Sequence, residues 1–276
     1  MNQDEIKRLE SIARELRIKV VRMMEAAGSG HAGGSMSVAE IVAVLYFHEM
    51  NINPKDPNDP DRDRFALSKG HACFTVYAAL AKIGYVEEKV LYQPYKVDSP
   101  VQGHPELGMF PGIDMGTGAL GQGLSAGIGM AIGSRLLKKD FRVYVVIGDG
   151  ESAEGMIWEA SMLAPKYKLD NLVAILDYNK IALTGPIEDT LPLEPVVDKW
   201  KAFGWHVLEV DGHSVKELME ALEKARGIKG KPTMIIAHTV KGKGINFIEG
   251  ASNSHALASF SSEEAENVVR DLTGRE

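Results

Sequence analysis

Asp149 stands between two glycines in Gly148-Asp-Gly-Glu, and Asn179 follows downstream in Asp177-Tyr-Asn-Lys. A carboxylate and a carboxamide are oxygen donors of the kind a hard divalent cation takes. Glycines on both sides let a backbone approach a phosphate closely. An aspartate in such a loop repels a bare diphosphate, but a divalent cation between the two reverses the sign of the interaction. The pair therefore reads as a Mg2+–diphosphate site. A lone Gly-Asp-Gly is also a common turn that holds nothing. A dinucleotide fingerprint needs a third glycine where Ala153 stands, and a P-loop needs a Gly-Lys-Ser/Thr that does not follow.

Four histidines sit in loop contexts: Gly30-His31-Ala-Gly-Gly, Lys69-Gly70-His71, Gly103-His104-Pro-Glu and Ser252-Asn-Ser-His255. Each alone reads as a solvated or capped histidine. Together they form a set that can donate to phosphate or sugar hydroxyls and move protons near neutral pH. A zinc site built from them is disfavoured, because no pair has i,i+4 helical spacing and no acid sits at a usual offset. His48, His206, His213 and His238 read as structural.

The elements that must position these residues are legible from periodicity. Apolar residues at helical spacing (Ile6, Leu9, Ile12, Leu16, Val20, Met23) predict a helix over 4–27 that ends at Gly28. A second helix is expected from Ser37 to Met50, with Ser37 as its N-cap. Residues 51–63 read as a loop, 64–68 as a short strand, and about 72–83 and 87–95 as helices. Residues 100–118 are rich in Gly and Pro and read as an extended loop. Ala119–Lys138 reads as a helix whose small residues allow close packing. Strands are then expected at 142–147, 172–177, 205–210 and 233–238, with helices at 154–166 and 214–227, and a short surface helix after about 256. Alternation of this kind makes a parallel sheet flanked by helices, and ligands bind beyond the carboxyl ends of its strands. Asp149, Asn179, His71 and His238 all fall at or near such ends.

The chain of 276 residues is 45% apolar and 25% charged, which is ordinary for a globular protein. Its net charge of −7 and the lack of a basic stripe argue against nucleic acid as the main partner. One cysteine, Cys73, excludes an intrachain disulfide and reads as a small packed residue. The charged, helical start is unlike a signal peptide, and no apolar run approaches the roughly 20 residues of a membrane span. The expectation is a cytoplasmic protein with no membrane partner, folded as one unit over 1–276.

The segments Gly30-His-Ala-Gly-Gly-Ser, Leu67-Ser-Lys-Gly-His-Ala, Gly103-His-Pro-Glu and Gly116-Thr-Gly-Ala-Leu-Gly-Gln-Gly-Leu, with Gly148-Asp-Gly-Glu, resemble the transketolase family. So do Glu154-Gly, Asp177-Tyr-Asn-Lys and His238-Thr-Val-Lys-Gly-Lys-Gly, all in the same order and over nearly the whole chain. The resemblance covers only the diphosphate-binding half of a transketolase. It implies the thiamine diphosphate-binding fold and a separate pyrimidine-binding (C-terminal) subunit that supplies the activating glutamate and the sugar-phosphate arginines. It also implies a heterotetramer with two copies of each half. The activity implied is transfer of a two-carbon ketol unit between a ketose phosphate and an aldose phosphate, with thiamine diphosphate as electron sink.

Carried over residue by residue, the resemblance makes Asp149, Asn179 and the Ile181 carbonyl ligands of Mg2+ or Ca2+. Gly148, Gly150 and Glu151 would face the diphosphate, the last two through backbone amides at a helix start. Gly118 and Leu120 would hold the aminopyrimidine edge, and Leu183 would pack the thiazolium or else be a core leucine. His71 and His255 would contact diphosphate or substrate, and His31 and His104 the donor hydroxyls. Glu154 would couple to the partner's glutamate, and Lys241 and Lys243 would form a loop over the diphosphate. Two departures stand out: Ala32 where the family has proline, and Ala256 where it has glycine. Rival readings are a 1-deoxyxylulose-phosphate synthase-like or oxo-acid dehydrogenase-type subunit, and a non-catalytic partner that binds cofactor and regulates.

Overall fold

The computed structural model describes residues 2–251, 254–255 and 260–274. Five strands, β1 (Arg64–Leu67), β2 (Val143–Gly148), β3 (Leu172–Tyr178), β4 (His206–Asp211) and β5 (Thr233–His238), form one sheet in the order β1-β2-β3-β5-β4. Every pairing is parallel. The central strands are apolar on both faces because helices cover both. Tyr144, Val146, Val173, Ile175 and Ile235 join one core, and Val143, Val145, Ile147, Ala174, Leu176 and Ile236 join the other.

The first core is closed by α1 (Gln3–Ala27), α2 (Ala32–Ser37), α3 (Ala39–Val44), α4 (Cys73–Ile83) and, later in the chain, Val215–Gly227. All six apolar residues that predict α1 are buried, and Gly28 ends it at φ 70° with its N–H on the Met24 carbonyl (3.0 Å). The second core is closed by α5 (Gln122–Leu136), α6 (Gly155–Lys166) and, after the short α7 (Ile187–Thr190), by α8 (Val196–Ala202). Val215–Gly227 is α9, and α10 (Ser262–Thr273) begins with a Ser261/Glu264 capping box. The last helix is more than a surface appendage, since it buries Ala265 and Val268 and ties to α1 through Glu266–Arg22 (2.7 Å). Among the described residues no helix is long and apolar enough to cross a membrane.

Two expectations need correction. Where one helix is predicted from Ser37 to Met50, a short helix α2 already starts at Ala32 and ends at Ser37, and α3 follows from Ala39, so Ser37 is not an N-cap. Its hydroxyl donates to the Gly34 carbonyl and to Asp177 Oδ2 (2.7 Å), so tertiary contacts and not capping decide its place. Gly33 and Gly34 lie inside a helix despite poor propensity because their backbone packs tightly. A Cβ at 33 would collide with the Ser254 carbonyl, and one at 34 would sit 3.2 Å from His71 Nε2. The second correction is at 87–95, where only a 3-10 turn over Glu88–Tyr92 forms.

The small-residue helix α5 does lie close to the sheet. A Cβ at Gly123 would be 2.5 Å from Ser68 Cβ, and one at Gly127 would overlap Val145. Gly123→Ala is therefore expected to destabilise by about 1–3 kcal/mol through overpacking. Gly129→Ala, where a Cβ meets nothing within 4 Å, should be neutral or stabilising by up to about 1 kcal/mol through helix propensity. Thermal unfolding of the two variants checks this, and equal midpoints would refute the packing account.

Candidate active site

The carboxyl ends of β1, β2, β3 and β5 deliver Lys69, Asp149, Asn179 and Thr239 to one side of the sheet. A cavity of about 330 Å³ opens there. It is lined by Asp149, Asn179, Ile181, Leu183, Gly148, Gly150, Glu151, Gly118, Leu120, Lys69, Lys241 and the four loop histidines His31, His71, His104 and His255. Residues more than 200 positions apart thus meet in one space, because parallel strands bring all their exit loops to the same edge.

Asp149 is 3% exposed. Its carboxylate accepts the Gly150 N–H (2.7 Å) and the Lys180 N–H. Burial, with Asp177 behind it, pushes its pKa up to about 6. A buried carboxyl held there is one that a cation would relieve. Asn179 Oδ1 accepts the Ile181 N–H (3.1 Å), and its Nδ2 donates to Asp177 (3.0 Å). The Ile181 carbonyl accepts the Lys241 ammonium at 2.6 Å. Each of the three oxygens thus meets hydrogen donors from within the chain, and Lys241 supplies positive charge at the third. Burial and the neighbouring Lys69 lower the Lys241 pKa to about 8. Among the described residues no three His, Cys, Asp or Glu side chains converge as a metal site. A set of one carboxylate, one carboxamide and one carbonyl falls outside that pattern and suits Mg2+ or Ca2+ only if a ligand brings further oxygens.

Gly148 and Gly150 both have ordinary negative φ, and a Cβ at either would meet only normal contacts at 3.4 Å or more. The fold itself does not demand these two glycines. Both line the cavity, which points to a close-approaching ligand. The Gly150 amide is engaged by Asp149, and Gly150–Ala153 is a 3-10 turn, so the helix start expected here lies further on at Gly155. Glu151 offers more than its backbone. Its buried carboxylate accepts the Gly148 N–H (2.9 Å), the Gly121 N–H (2.8 Å) and the Ser68 hydroxyl, joining three cavity loops.

The histidine rings lie within a few ångströms of one another: His31–His71 5.2 Å, His71–His255 4.9 Å, His31–His255 5.4 Å and His31–His104 6.2 Å between centroids. Burial and nearby cationic groups lower His31, bring His71 down to about 2 and His255 down to about 4. These three are neutral at pH 7 and able both to donate and to accept. Lys69 and Lys241 supply the cationic groups of the cavity, the imidazoles supply hydrogen-bond donors and acceptors, and the carboxylates of Asp149 and Glu151 lie beside them.

Leu183 is 67% exposed, so it is not a core leucine. Glu154 is exposed at the N-cap of α6, outside the cavity and without a side-chain cap bond. Lys243 turns away to Glu249 (2.8 Å) and does not line the cavity. Cys73 is buried, and burial raises its thiol to about 12, in keeping with a packing role. Ala32 is the first residue of α2, a position that tolerates proline, so the departure leaves the helix start intact. Ala256 lies outside the described residues. Sequence reasoning missed the ion pair of Lys69 with Asp177, where both side chains are buried (3% and 0% exposed). Asp177 also accepts from Ser37 and Thr239. Both residues sit inside recognised motifs, but nothing local marks them as a pair.

The model of the family described as "Transketolase, thiamine diphosphate binding domain" matches residues 9–274. The chain belongs to the transketolase thiamine diphosphate-binding family. It is 44% identical to the 6-deoxy-6-sulfo-D-fructose transketolase subunit SqwG of Clostridium sp. (strain MSTE9), over 92% of each chain. It is 38% identical to one of the apulose-4-phosphate transketolase subunits of Phocaeicola vulgatus, over 98% of this chain and 96% of that one. Transketolase from Leishmania mexicana superposes with a TM-score of 0.92 at 33% identity, over 97% of this chain and 41% of that one. The chain therefore spans about two fifths of that solved transketolase, while it matches the two transketolase subunits over nearly their full length. It is a transketolase-type, thiamine diphosphate-dependent subunit with the parallel-sheet fold of the family.

Proposed function

We propose that this chain is the diphosphate-binding subunit of a split transketolase that moves a two-carbon ketol unit from a ketose phosphate to an aldose phosphate. One observation carries the reading: Asp149, Asn179 and the Ile181 carbonyl share a single cavity with four histidines and two lysines. Asp149, Asn179 and Ile181 would hold Mg2+, or Ca2+, against the diphosphate. Gly148, Gly150, Glu151, His71 and Lys241 would line the diphosphate. Gly118, Leu120 and Leu183 would seat the rings. Thiamine diphosphate, when bound, supplies the electron sink for cleaving a carbon–carbon bond next to a carbonyl. His31 and His104 would bind the donor hydroxyls, His71 and His255 would contact diphosphate or substrate, and the set would hold or pass protons as the bond breaks.

A separate pyrimidine-binding subunit would complete the site, and the exposed Glu154 would meet it. The near-full-length match to proteins named as subunits supports this partner. Two copies of each half would form a symmetric heterotetramer in the cytoplasm. Both of those relatives are named for ketoses that carry a terminal anion, a sulfonate or a phosphate. The donor class proposed here is accordingly a ketose with an anionic end.

The chain alone, given thiamine diphosphate, Mg2+ and sugar phosphates, should turn over at least about 100-fold more slowly than the mixture with its pyrimidine-binding partner. Robust turnover by the single chain would refute the split assignment. Product analysis with ketose plus aldose phosphates, against pyruvate plus glyceraldehyde phosphate, separates this reaction from a 1-deoxyxylulose-phosphate synthase-like one. No turnover with either pair in the complete mixture would favour a regulatory partner.

A further inference from the structure

Outside the cavity, a chain of polar contacts runs from α1 to the loop that carries Lys241. Arg17 donates to both carboxylate oxygens of Glu40 on α3 (2.5 and 2.7 Å) and to the Met36 carbonyl (3.0 Å). Glu40 Oε2 lies 3.0 Å from His213 Nδ1. The Val240 N–H donates to His213 Nε2 at 2.8 Å. A ring nitrogen that accepts from a backbone amide carries no proton, so the proton sits on Nδ1 and points at Glu40. Arg17 and Glu40 are 6% and 8% exposed, which keeps this end of the relay out of water. Burial raises the Glu40 carboxyl, but Arg17 and His213 more than offset it and hold it at about 2, so Glu40 is ionised.

Val240 directly precedes Lys241, whose ammonium reaches the Ile181 and Ala182 carbonyls (2.6 and 3.2 Å). Two residues further on, the Gly242 N–H bonds the Gly33 carbonyl (3.0 Å), beside the segment of His31. After Thr239, whose N–H bonds the Tyr178 carbonyl (3.2 Å) and whose hydroxyl bonds Asp177, the His213 ring is the next anchor of the loop over 239–250.

We propose that His213 is a positioning residue: as its Nδ1–H tautomer, braced by Arg17 and Glu40, it fixes Val240 and so holds Lys241 over the cavity, and a second ring proton releases the loop. This rests on the cofactor reading above for its functional consequence, but not for its structural one. A doubly protonated ring turns an N–H toward the Val240 N–H and leaves that amide without an acceptor. The closed loop needs the singly protonated ring, so a second ring proton opposes closure. The charged groups around the ring are Glu40 and Arg17, Asp211, which accepts the His213 main-chain N–H (2.8 Å), and Glu249, which is paired with Lys243.

Hydrogen–deuterium exchange on the full chain tests the proposal. His213→Ala should speed exchange across 239–250 roughly tenfold at neutral pH while β5 keeps its protection. The wild type should loosen over the same segment as the pH is lowered, after correction for intrinsic exchange. His213→Gln, whose amide oxygen can accept from Val240 and cannot titrate, should stay closed and lack that pH step. If the histidine only filled space, the wild type would show no such step and His213→Gln would loosen the loop as His213→Ala does. Unchanged protection of 239–250 in His213→Ala, or the same pH step in wild type and His213→Gln, would overturn the proposal. If His213→Ala loosens the whole chain, the comparison with His213→Gln decides. Exchange needs no cofactor, so its outcome is separate from whether thiamine diphosphate binds. As a second readout, Mg2+-dependent thiamine diphosphate affinity should fall by a similar factor in His213→Ala and hold in His213→Gln.

Discussion

Asp149→Asn is expected to lower the Mg2+-dependent affinity for thiamine diphosphate by at least about 100-fold, since even an outer-shell partner of a metal site is worth about 10–100-fold. Asp149 is the only carboxylate in the proposed ligand set. Asn179 and the Ile181 carbonyl bring dipoles but no charge. Without Asp149 the cation would face two neutral oxygens and the diphosphate alone. The asparagine keeps the shape, but its single oxygen can accept from only one of the Gly150 and Lys180 amides, which donate to different oxygens of Asp149. Loss of one acceptor should cost the metal-free fold about 1–3 kcal/mol, offset by the removal of a buried charge. The Asp149 pKa is raised in the folded chain to about 6, from an ordinary value near 3.8. The folded state therefore binds this proton more tightly, and the ionised form costs stability above about pH 6. That cost falls away as pH drops toward 3.8 in the wild type and is absent from Asp149→Asn. Calorimetric titration with thiamine diphosphate at saturating Mg2+, beside a thermal midpoint, measures both. An affinity within threefold of the wild type would remove the metal site from the account.

Lys69→Met should produce the largest loss of stability, about 3–5 kcal/mol, because it strips the partner from a fully buried carboxylate. Lys69 Nζ donates to Asp177 Oδ2, to the Gly34 carbonyl (3.0 Å) and to Ser37 Oγ (3.4 Å). Burial alone would raise the Asp177 pKa, yet Lys69 and the hydroxyls of Thr239 and Ser37 bring it below the ordinary value. Once the ammonium is gone, those hydroxyls and Asn179 solvate a charge that has no counterion. For a chain of this size the midpoint should drop by about 10 °C. Lys69→Met combined with Asp177→Leu should lose less than the sum of the two single variants, by about 1–3 kcal/mol, since the two charges act as one unit. Strict additivity would mean that the pair does not couple. Lys69 also lines the cavity, so anion binding should fall with it.

The sheet is readable because a buried parallel strand is a short apolar run bounded by turn residues, and β5 lies at 233–238, where its apolar run places it. The edge strand β4 is less buried, yet its neighbours in the βα alternation locate it to within a residue. The start of α2 is not readable. Gly33 and Gly34 oppose helix locally, and the Ser254 backbone and the Lys241, Lys69 and His71 side chains packed against them account for their place. Leu183 is equally ambiguous, because a lone leucine after a strand reads alike at a core position and at a cavity mouth.

Composition and pattern by themselves determined the parallel α/β architecture, the strand-end position of Asp149 and Asn179, and the set of loop histidines. Each of these depends on residues close together in the chain or on a repeating period. Tertiary structure alone decided that Lys69 neutralises Asp177 from 108 positions away, that Glu151 ties three loops through its side chain, and that His213 anchors the loop of Lys241. Such contacts have no period and no fixed spacing. They exist because the packed sheet leaves those polar groups with no water to bind, so each must find its partner across the fold.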